Sequence, residues 1–556
     1  MITRSPRIGV SVQGGPVSRD RVATDHATMH LASPTSSSRS RRALAALAAV
    51  VATACLAAPP PAGAAPNVVV IQLDDQPLSM FTQEVLPNTF ARIVEPGTEF
   101  TNYFTVAPTC CPSRATLLTG QYPHNHGVLS NTPGYADLQK PGNILPVWLQ
   151  RAGYETAHIG KYLNNYGKAV GDRTVPAGWD HWIAALEPRR YYRYVLTVDG
   201  RRERFGADPN DHLTRVLNRK AATLAGNLAR GKAPFFLALD HFAPHKGAGD
   251  SGRCAGAAVP DPVDLALFEG EPLPQDALPK ASRSLNEQDV TDKPGFVATQ
   301  PFLSVSKVSR IRERWGCAMA ASYSADRGVE AVFQAIRAAG EIRQTAFIYI
   351  SDNGLFYGEH RVPGEKQLPY EEVIHQPLAI RVPSAYVPAQ GPEAAVDVMA
   401  ANLDIAPTIL HLARARPCRT RNDCRTMDGR SLTGPLGGST LGFAGRRLLV
   451  EFDLGRKHSR ERIACKFAAL RTSTESYARY QQVVVDAAKD RPRCRRRLQV
   501  EHYDLAVDPM QLDSLWLGTG LATAEQRALR LALSRLRRCA GIEGRDHRTG
   551  RHPFCE

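Results

Sequence analysis

Short, continuous apolar runs recur along the chain between residues 67 and 382. The first, Asn67–Leu73, consists mainly of Val, Ile and Leu, which favours a strand buried on both faces of a parallel sheet. The other predicted strands, which segments of helical spacing separate, lie at 156–161, 234–240, 345–350 and 378–382. A polar, Pro- and Gly-rich segment at 246–315 predicts a lid-like insertion or a substrate loop. The alternation predicts an α/β fold with a large, mostly parallel central sheet flanked by helices.

The pattern changes after about Gly434, where short strand-like runs alternate with polar turns. An amphipathic helix is predicted to follow over 524–539, and together these elements predict a small antiparallel α+β subdomain. The strand-like runs are 447–452, 467–471, 480–485 and 502–505. The predicted parts of the chain are an N-terminal extension with an export signal at 1–65, a catalytic domain at 66–434 and a C-terminal subdomain at 435–556.

The N-terminal extension has the features of an export signal. Arg39, Arg41 and Arg42 precede an apolar stretch at 43–58, and small residues near Ala64 resemble a cleavage site. The stretch is shorter than the roughly 20 residues that span a bilayer, and no later part of the sequence is apolar enough for a membrane helix. We therefore expect an exported protein, secreted, periplasmic or at the cell surface, without an integral membrane segment.

The 69 Lys and Arg residues outnumber the 54 Asp and Glu residues, for a formal net charge of +15. The basic residues follow no stripe and match no nucleic-acid-binding module, so no nucleic-acid partner is predicted. The charge reflects either solvated surfaces or a field that attracts anionic substrates, and the first interpretation is favoured.

Carboxylates follow two predicted strands that lie far apart in the sequence. Asp74 and Asp75 follow the first strand, and Asp352 and Asn353 follow the strand at 345–350. Parallel strands end at one edge of a sheet, so we expect these side chains to converge. Three carboxylates and an amide oxygen are hard ligands that suit Ca²⁺ or Mg²⁺. Either pair alone is more typical of a turn or a helix cap, and only the combination favours a metal site.

The run CCPSRATLLTG at 110–120 has an order of residue types that no ordinary core segment needs. A helix beginning near Pro112 would present its free N–H groups and its dipole to an anion beside Cys110. Arg114 could donate to the same anion in a fork geometry. The alternatives for Cys110 are a buried structural cysteine and a disulfide with Cys111, and neither explains the Pro-Ser-Arg that follows.

These features resemble the type I, formylglycine-dependent sulfatases of the alkaline-phosphatase-like superfamily. The resemblance extends from residue 67 to about residue 515 and includes TGQYPHNHG at 119–127, GKYLN at 160–164 and SDNG at 351–354. It is strongest to the N-acetylglucosamine-6-sulfatases and arylsulfatases. It implies an alkaline-phosphatase-like sandwich for the fold.

The resemblance also implies the nucleophile and the metal site. A formylglycine-generating enzyme is expected to convert Cys110 to 3-oxoalanine (formylglycine), whose hydrated aldehyde is the nucleophile. The matching positions imply that Asp74, Asp75, Asp352 and Asn353 hold Ca²⁺, or Mg²⁺ in its place, and that the modified Cys110 also faces the metal.

The remaining catalytic positions follow from the same resemblance. Arg114 is expected to steady the modified cysteine, and Lys161, His245 and Lys366 are expected to contact the oxygens of the sulfate ester. His245 is the natural proton donor to the leaving oxygen.

One position departs from the family pattern. Many members carry a His two residues after the lysine that corresponds to Lys161, and this chain has Leu163 there. That His usually takes a proton from the formylglycine hydrate, so the base is unassigned and His126 is the candidate. His360 is expected either to contact the substrate or to support a residue that does so.

The resemblance implies hydrolysis of a sulfate monoester, on a sulfated sugar such as 6-sulfated N-acetylglucosamine or on an aryl sulfate. A phosphodiester or phosphonate hydrolase on the same scaffold is one alternative, because phosphoryl and sulfuryl groups share their size and their oxyanion requirements. A catalytically inactive, glycan-binding pseudoenzyme is the other. The intact Cys110, the metal ligands and the lysines argue against it.

Ten of the 11 cysteines follow the predicted signal cleavage, and modification of Cys110 leaves an odd number. Cysteines of an exported chain favour disulfides, and Cys111 is the expected unpaired thiol. The predicted pairs are Cys254–Cys317, Cys418–Cys424, Cys465–Cys494 and Cys539–Cys555.

Overall fold

The computed structural model describes residues 65–250, 252–386, 393–454, 465–486, 491–516, 522–547 and 551–556. All of them belong to one unit, Ala58–Glu556. The predicted export signal and its cleavage near Ala64 lie outside the described residues. The boundary between residues 434 and 435 stays a prediction.

Strands and helices alternate through most of this unit. The strands are β1 (Asn67–Leu73), β2 (Thr98–Phe100), β3 (Tyr103–Phe104), β4 (Glu155–Gly160), β5 (His181–Ala185), β6 (Val195–Val198), β7 (Arg201–Arg204), β8 (Phe235–Asp240), β9 (Thr345–Ser351), β10 (Leu378–Arg381), β11 (Ala395–Val396), β12 (Ala400–Ala401), β13 (Cys418–Thr420), β14 (Asp423–Cys424), β15 (Leu448–Asp453), β16 (Lys466–Arg471), β17 (Glu475–Asp486) and β18 (Arg491–Asp504). The α-helices are α1 (Pro87–Thr89), α2 (Cys110–Thr119), α3 (Pro123–His126), α4 (Leu145–Arg151), α5 (Tyr166–Val170), α6 (Leu213–Ala229), α7 (Gly295–Ala298), α8 (Val305–Ala338), α9 (Glu371–Ile374), α10 (Ile405–Leu412), α11 (Thr433–Leu436) and α12 (Ala524–Leu536).

The main sheet has ten strands in the order β11-β2-β10-β9-β1-β8-β4-β5-β6-β7. Its centre, from β9 to β5, is parallel throughout. Strand β10 joins one side of this centre and β6 the other, both antiparallel. The predicted α/β fold with a mostly parallel central sheet is confirmed.

Both faces of this sheet are covered, as the apolar run in β1 requires. Val69 and Ile71 face one core with residues of α6 and α8, while Val68 and Val70 face a second core with residues of α2, α4 and α10. Each fully buried side chain of this size contributes about 1.5–3 kcal/mol relative to an exposed one. A strand with two apolar faces is therefore stable only at the centre of such a sheet.

The C-terminal region forms a second, antiparallel sheet in the order β15-β16-β17-β18. Helix α12 begins with a capping box at Thr523 and packs on this sheet through Leu529, Leu533 and Leu536. The predicted antiparallel α+β arrangement at the C-terminus is confirmed.

The predicted insertion at 246–315 is wrong at its C-terminal end, because α8 begins at Val305. Ser304 caps this helix, since its side chain accepts a hydrogen bond from the backbone N–H of Lys307 at 3.3 Å. Only Ile311 and Trp315 are buried in the first turns, so the hydrophobic period there is weak. The earlier part of the segment consists of turns and short helices.

Three of the predicted disulfides are confirmed: Cys254–Cys317, Cys418–Cys424 and Cys539–Cys555. Cys465 is disulfide-bonded as well, and the side chain of its predicted partner Cys494 lies outside the described ones. Cys110 and Cys111 are free and buried. Within the described ranges, no helix combines the length and apolar character needed to cross a membrane.

Candidate active site

The C-terminal edge of the central strands brings the predicted metal ligands together. Leu73 at the end of β1 pairs with Ser351 at the end of β9, so the residues that follow both strands share one edge. Asp75 adopts a left-handed backbone conformation with φ of 67°, and its N–H donates to Asp352 Oδ1 at 3.1 Å. Asp74, Asp75, Asp352 and Asn353 are all buried.

Cys110 reaches this edge from the N-terminus of α2, which begins at Cys110 and not at the predicted Pro112. Its Sγ lies 3.2 Å from Asp74 Oδ1, 3.7 Å from Asp75 Oδ1 and 2.8 Å from Lys366 Nζ. Burial and the carboxylate of Asp74 raise the pKa of the thiol well above its usual range. An unmodified thiol here stays protonated at neutral pH and is a poor nucleophile.

Two lysines face the carboxylates. Lys161 Nζ contacts Asp74 Oδ2 and Lys366 Nζ contacts Asp75 Oδ1. Both ammonium groups are buried. Burial opposes the charge on Lys366, but Asp75 and Cys110 outweigh it and raise its pKa well above the usual value. Lys366 therefore keeps its positive charge beside Cys110.

His245 and Arg114 complete the cluster. His245 Nε2 lies 3.6 Å from Asp75 Oδ2, and Nδ1 contacts the carbonyl oxygen of Lys246 at 2.7 Å. That carbonyl favours a proton on Nδ1, so Nε2 faces the cluster. Burial lowers the pKa of His245 to about 4, so a second proton on Nε2 needs an anion beside it. Arg114 donates from Nε to Asp352 Oδ2 at 2.8 Å and from Nη1 to the carbonyl oxygen of Lys161 at 2.8 Å.

The carboxylates of this cluster and the amide oxygen of Asn353 fit a hard divalent cation. Ligand atoms of Asp74, Asp75, Cys110 and His245 lie within 4.8 Å of one another. Asn353 Nδ2 donates to Asp75 Oδ1 at 2.7 Å, while its buried Oδ1 has no hydrogen-bond partner among the described residues. Burying an unpaired amide oxygen is costly, and coordination to a cation would satisfy it.

His126 contacts the middle of α2 and lies away from Cys110. His126 contacts Thr116 Oγ1 through Nε2 at 3.0 Å and accepts from the Val128 N–H through Nδ1 at 3.2 Å. Thr116 is six residues beyond Cys110, about 9 Å along the helix axis. These contacts favour a structural role that holds α3 against α2, and the role of His126 as the base stays a prediction.

His360 is fully buried, with Nδ1 2.7 Å from Glu287 Oε2 and Nε2 3.7 Å from Glu372 Oε2. Burial opposes its charge, but the two carboxylates outweigh it and raise the pKa to about 10. A charged histidine held in this way supports the loop that leads to Lys366, which favours the second of its two predicted roles.

Two further polar residues of the site, Asp240 and His158, are not among the predicted site residues. Asp240 ends β8, and its Oδ1 lies 3.3 Å from Arg114 Nη1 while its Oδ2 lies 3.1 Å from His158 Nε2. His158 is buried and stacks on Trp182. The same rule that selects Asp74 selects Asp240, because it ends a buried parallel strand at the same edge of the sheet. Leu163, which replaces the histidine of the family pattern, is fully buried.

Comparisons with known proteins agree with this geometry. A model of the Sulfatase family matches residues 66–415. The N-acetylglucosamine-6-sulfatase of Homo sapiens is 30% identical over 402 residues, which cover 70% of this chain and 67% of that protein. The putative extracellular sulfatase Sulf-1 homolog of Caenorhabditis elegans is 30% identical over 374 residues, 66% of this chain and 48% of that protein. The chain thus spans about half to two thirds of these relatives.

Solved structures agree in fold. A protein solved in complex with its substrate D-glucosamine-2-N,6-O-disulfate has a TM-score of 0.62 at 20% identity, over 84% of this chain and 97% of that one. The phosphonate monoester hydrolase of Agrobacterium radiobacter has a TM-score of 0.60 at 20% identity, over 84% and 94%. At this identity the likeness concerns the fold alone. Family membership rests on the match at 66–415, and by that match the chain belongs to the Sulfatase family.

Proposed function

We propose that the protein hydrolyses sulfate monoesters and that Cys110, converted to formylglycine, is the site of attack. The observation that carries this proposal is the position of Cys110, whose Sγ lies between a carboxylate oxygen of Asp74 and the ammonium group of Lys366. The protonated thiol is poorly suited to attack sulfur. Formylglycine supplies an oxygen nucleophile in the form of its aldehyde hydrate.

We infer that Asp74, Asp75, Asp352 and Asn353 would hold Ca²⁺, or Mg²⁺ as the alternative hard cation. The unpartnered Asn353 Oδ1 and the closely spaced carboxylates of Asp74 and Asp75 support this assignment, and Asp352 joins them through its contact with the Asp75 N–H. The cation supplies positive charge that stabilises anionic oxygens near Cys110. Asp75 is held in place for this role by its left-handed backbone and its N–H bond to Asp352.

The cationic side chains have distinct proposed roles. Lys161 and Lys366 would contact the sulfate oxygens and balance the charge that develops there. His245 would carry a proton on Nε2 to the leaving alcohol, because Nδ1 is already engaged by the Lys246 carbonyl oxygen. Arg114 is fixed by Asp352 and Asp240, which leaves its buried Nη2 without a partner among the described residues. That Nη2 can donate to the modified Cys110.

The proposed substrate is a sulfated sugar, with 6-sulfated N-acetylglucosamine as the first choice and a simple aryl sulfate as the second. Relatives named N-acetylglucosamine-6-sulfatase and arylsulfatase support this order. We further propose maturation by a formylglycine-generating enzyme and export from the cytoplasm. Residues 66–434 would act as the catalytic domain and 435–556 as its C-terminal subdomain.

The test begins with the protein co-expressed with a formylglycine-generating enzyme. Mass spectrometry of the peptide that contains Cys110 should show loss of H₂S and gain of oxygen. The protein should then hydrolyse 4-nitrophenyl sulfate faster than a 4-nitrophenyl phosphodiester. Cys110→Ala should abolish this activity, while Cys111→Ala, which changes the neighbouring free thiol, should retain it.

Three results would contradict the proposal. Unmodified Cys110 in the co-expressed protein would remove the nucleophile. Faster turnover of the phosphodiester would favour a phosphoryl-transfer enzyme on the same scaffold. Absence of turnover with both probes, in protein whose Cys110 is converted, would favour the glycan-binding pseudoenzyme.

A further inference from the structure

A cavity of about 440 Å³ opens beside the candidate active site. Its wall includes Lys161 and His245 from the cluster around Cys110, and it continues onto Asn164 and two loops, 187–189 and 246–248. The volume falls within the roughly 300–1,000 Å³ typical of small-molecule sites. A second cavity, lined by Arg114, Leu163 and His158, holds only about 20 Å³ and lies in the interior.

The 440 Å³ cavity lies on the side where the leaving group must depart. His245 lines it, and His245 is the proposed proton donor to the leaving alcohol. A proton donor has to lie within hydrogen-bond reach of the oxygen that it protonates. The alcohol part of the substrate would therefore occupy this cavity while the sulfate faces Cys110.

The wall of the cavity carries more positive than negative charge. Beyond Lys161, its cations are Lys168, Arg189 and Lys246, and its acidic residue is Glu187. Arg189 Nη1 lies 3.0 Å from Glu187 Oε1, and Lys168 Nζ lies 4.0 Å from Glu187 Oε2. One carboxylate thus serves two cations, and Lys246 has no ion pair within the described part of the chain.

Arg189 is the most constrained of these cations. Its side chain is only 8% exposed, and its buried Nε has no hydrogen-bond partner among the described residues. The ion pair with Glu187 uses Nη1, so the buried Nε N–H stays available to a second acceptor, and leaving it unpaired is costly. Asn164, on the same wall, has a buried Oδ1 that also lacks a partner within the described ranges.

Hydrogen bonds tie the two loops of the wall together. The N–H of Ala248 donates to the carbonyl oxygen of Arg189 at 3.0 Å. The hydroxyl of Tyr191 donates to the carbonyl oxygen of His245 at 2.8 Å. Arg189 is therefore positioned relative to His245 by the fold and does not depend on a substrate for its placement.

We propose that this cavity binds a second anionic group of the substrate, beyond the sulfate that is cleaved, with Arg189 as its main partner. This inference rests on the proposed function. The substrate class is a sugar sulfate with another sulfate or a carboxylate close to the scissile ester, either on the same sugar or on its neighbour. Lys246 and Lys168 add attraction from the exposed rim, and Asn164 accepts a hydroxyl or amide N–H of the sugar.

The test compares three probes at constant ionic strength: N-acetylglucosamine 6-sulfate, N-sulfoglucosamine 6-sulfate, and a disaccharide of uronic acid and N-acetylglucosamine 6-sulfate. We expect kcat/KM to be at least about tenfold higher for one doubly anionic probe, the size of a charged hydrogen bond. The N-sulfo probe reports a second anion on the same sugar, and the uronic acid probe reports one on the next sugar.

Three substitutions test whether the preference for a doubly anionic probe depends on the cavity. Arg189→Gln should reduce the ratio of kcat/KM between the preferred probe and the singly charged probe towards one. Lys246→Gln should reduce the same ratio by a smaller factor. Because Lys246 is exposed, this variant should fold normally and tests the cavity even if the Arg189 variant misfolds. Arg201→Gln, an exposed arginine of β7 outside the cavity, should leave the ratio unchanged.

Binding gives a readout that does not need turnover. In a Cys110→Ala background, calorimetry should show at least about tenfold tighter binding of the preferred doubly anionic probe than of the singly charged one, and Arg189→Gln should remove the difference. Equal kcat/KM and equal affinity for all three probes would overturn the second-anion site and leave the sulfatase proposal intact. No hydrolysis of any probe by protein with converted Cys110 would overturn the proposed function itself.

Discussion

Two buried groups of charged side chains in this protein differ in how their polar atoms are satisfied. In the C-terminal group, Arg446 donates to both oxygens of Asp404, at 2.5 and 2.8 Å, and from Nε to Glu556 Oε1 at 2.5 Å. Backbone N–H groups of Ala401 and Arg430 donate to the same Asp404 oxygens. Every atom of that carboxylate is used, so the group has nothing left with which to bind a ligand.

The group around Cys110 also pairs buried cations with carboxylates but is incomplete. Asn353 Oδ1 and Arg114 Nη2 are buried without partners among the described residues. Lysines lie against carboxylates that a cation would also need. A saturated buried ion pair contributes to a unique fold, whereas an unsaturated one needs a ligand to complete it. The contrast separates a stabilising site from a reactive one, so substitutions in the two groups should have different consequences.

The largest expected effect is on turnover. Replacing Cys110 with Ala removes the nucleophile, and we expect kcat to fall by roughly 10³-fold or more. The free energy of unfolding should change by no more than about 1–2 kcal/mol, because no saturated ion pair is broken. Steady-state kinetics and chemical denaturation measure the two quantities. A large loss of stability with residual turnover would reverse the assignment of the two groups.

A substitution in the C-terminal group should lower stability and leave turnover unchanged. Arg446→Met removes one partner of a buried pair, leaves Asp404 and Glu556 uncompensated, and should lower the free energy of unfolding by about 3–5 kcal/mol. Turnover per folded molecule should be retained. The control is Arg447→Met, at the neighbouring exposed position, which should change stability by less than about 0.5 kcal/mol. Equal destabilisation by both variants would contradict the comparison.

A divalent cation should stabilise only the incomplete group. Ca²⁺ at about 100 times its Kd should raise the free energy of unfolding by about 2.7 kcal/mol over protein in EDTA. Calorimetric Tm measurements with Ca²⁺ and Mg²⁺ identify the preferred ion. Asn353→Ala should reduce the Ca²⁺-dependent shift, and Arg446→Met should keep it. No shift with either ion would remove the metal from the proposal.

The ion pair between His124 and Glu451 of strand β15 should make the free energy of unfolding depend on pH. His124 Nδ1 lies 2.7 Å from Glu451 Oε1. Burial opposes its charge, but Glu451 outweighs it and raises the folded-state pKa to about 9. Because this pKa lies above the unfolded value of 6.5, the contribution is complete below pH 6.5 and is lost as the pH rises through about 9. We expect a loss of about 1–2 kcal/mol across that window.

Thermal unfolding between pH 6 and 10 measures this loss. His124→Gln should flatten the profile in that window. His547→Gln, which changes an exposed histidine, should leave it as in the wild type. A flat wild-type profile would show that the pair with Glu451 is not charge-dependent.

The last prediction concerns His126. Its contacts with Thr116 and Val128 predict that His126→Ala lowers stability by about 1–3 kcal/mol, since it leaves buried groups unpaired. Turnover should fall by less than about tenfold. A general base contributes roughly 10²–10⁴-fold, so a loss of that size, with unchanged stability, would restore His126 as the base.

Much of the fold follows from local patterns. Strands β1, β8 and β9 are predictable because a continuous β-branched run can be buried on both faces only in the middle of a parallel sheet. The first turns of α8 are not, because residues 305–315 are mostly polar or charged and their helical state depends on the Ser304 cap and on burial of Ile311 and Trp315. Tertiary packing supplies what the local periodicity lacks.

The candidate active site is also only partly predictable from the sequence. Asp74, Asp75, Asp352 and Asn353 are predictable because the ends of parallel strands meet at one edge. The pairing of Arg114 with Asp240 is not, since a contact across 126 positions in the sequence depends on how α2 packs against β8. The same holds for the cavity beside His245, whose wall joins loops that no local pattern relates.

The order of residues identifies the reactive groups and the strand ends near which they lie, because motifs and parallel-sheet geometry follow from it directly. The tertiary structure adds the contacts between individual atoms. It joins Lys161 to Asp74 and Lys366 to Asp75, places His126 against Thr116, and leaves Asn353 Oδ1 and Arg189 Nε unpaired within the described residues. Such contacts depend on side-chain directions and loop paths, which packing selects from many locally equivalent conformations.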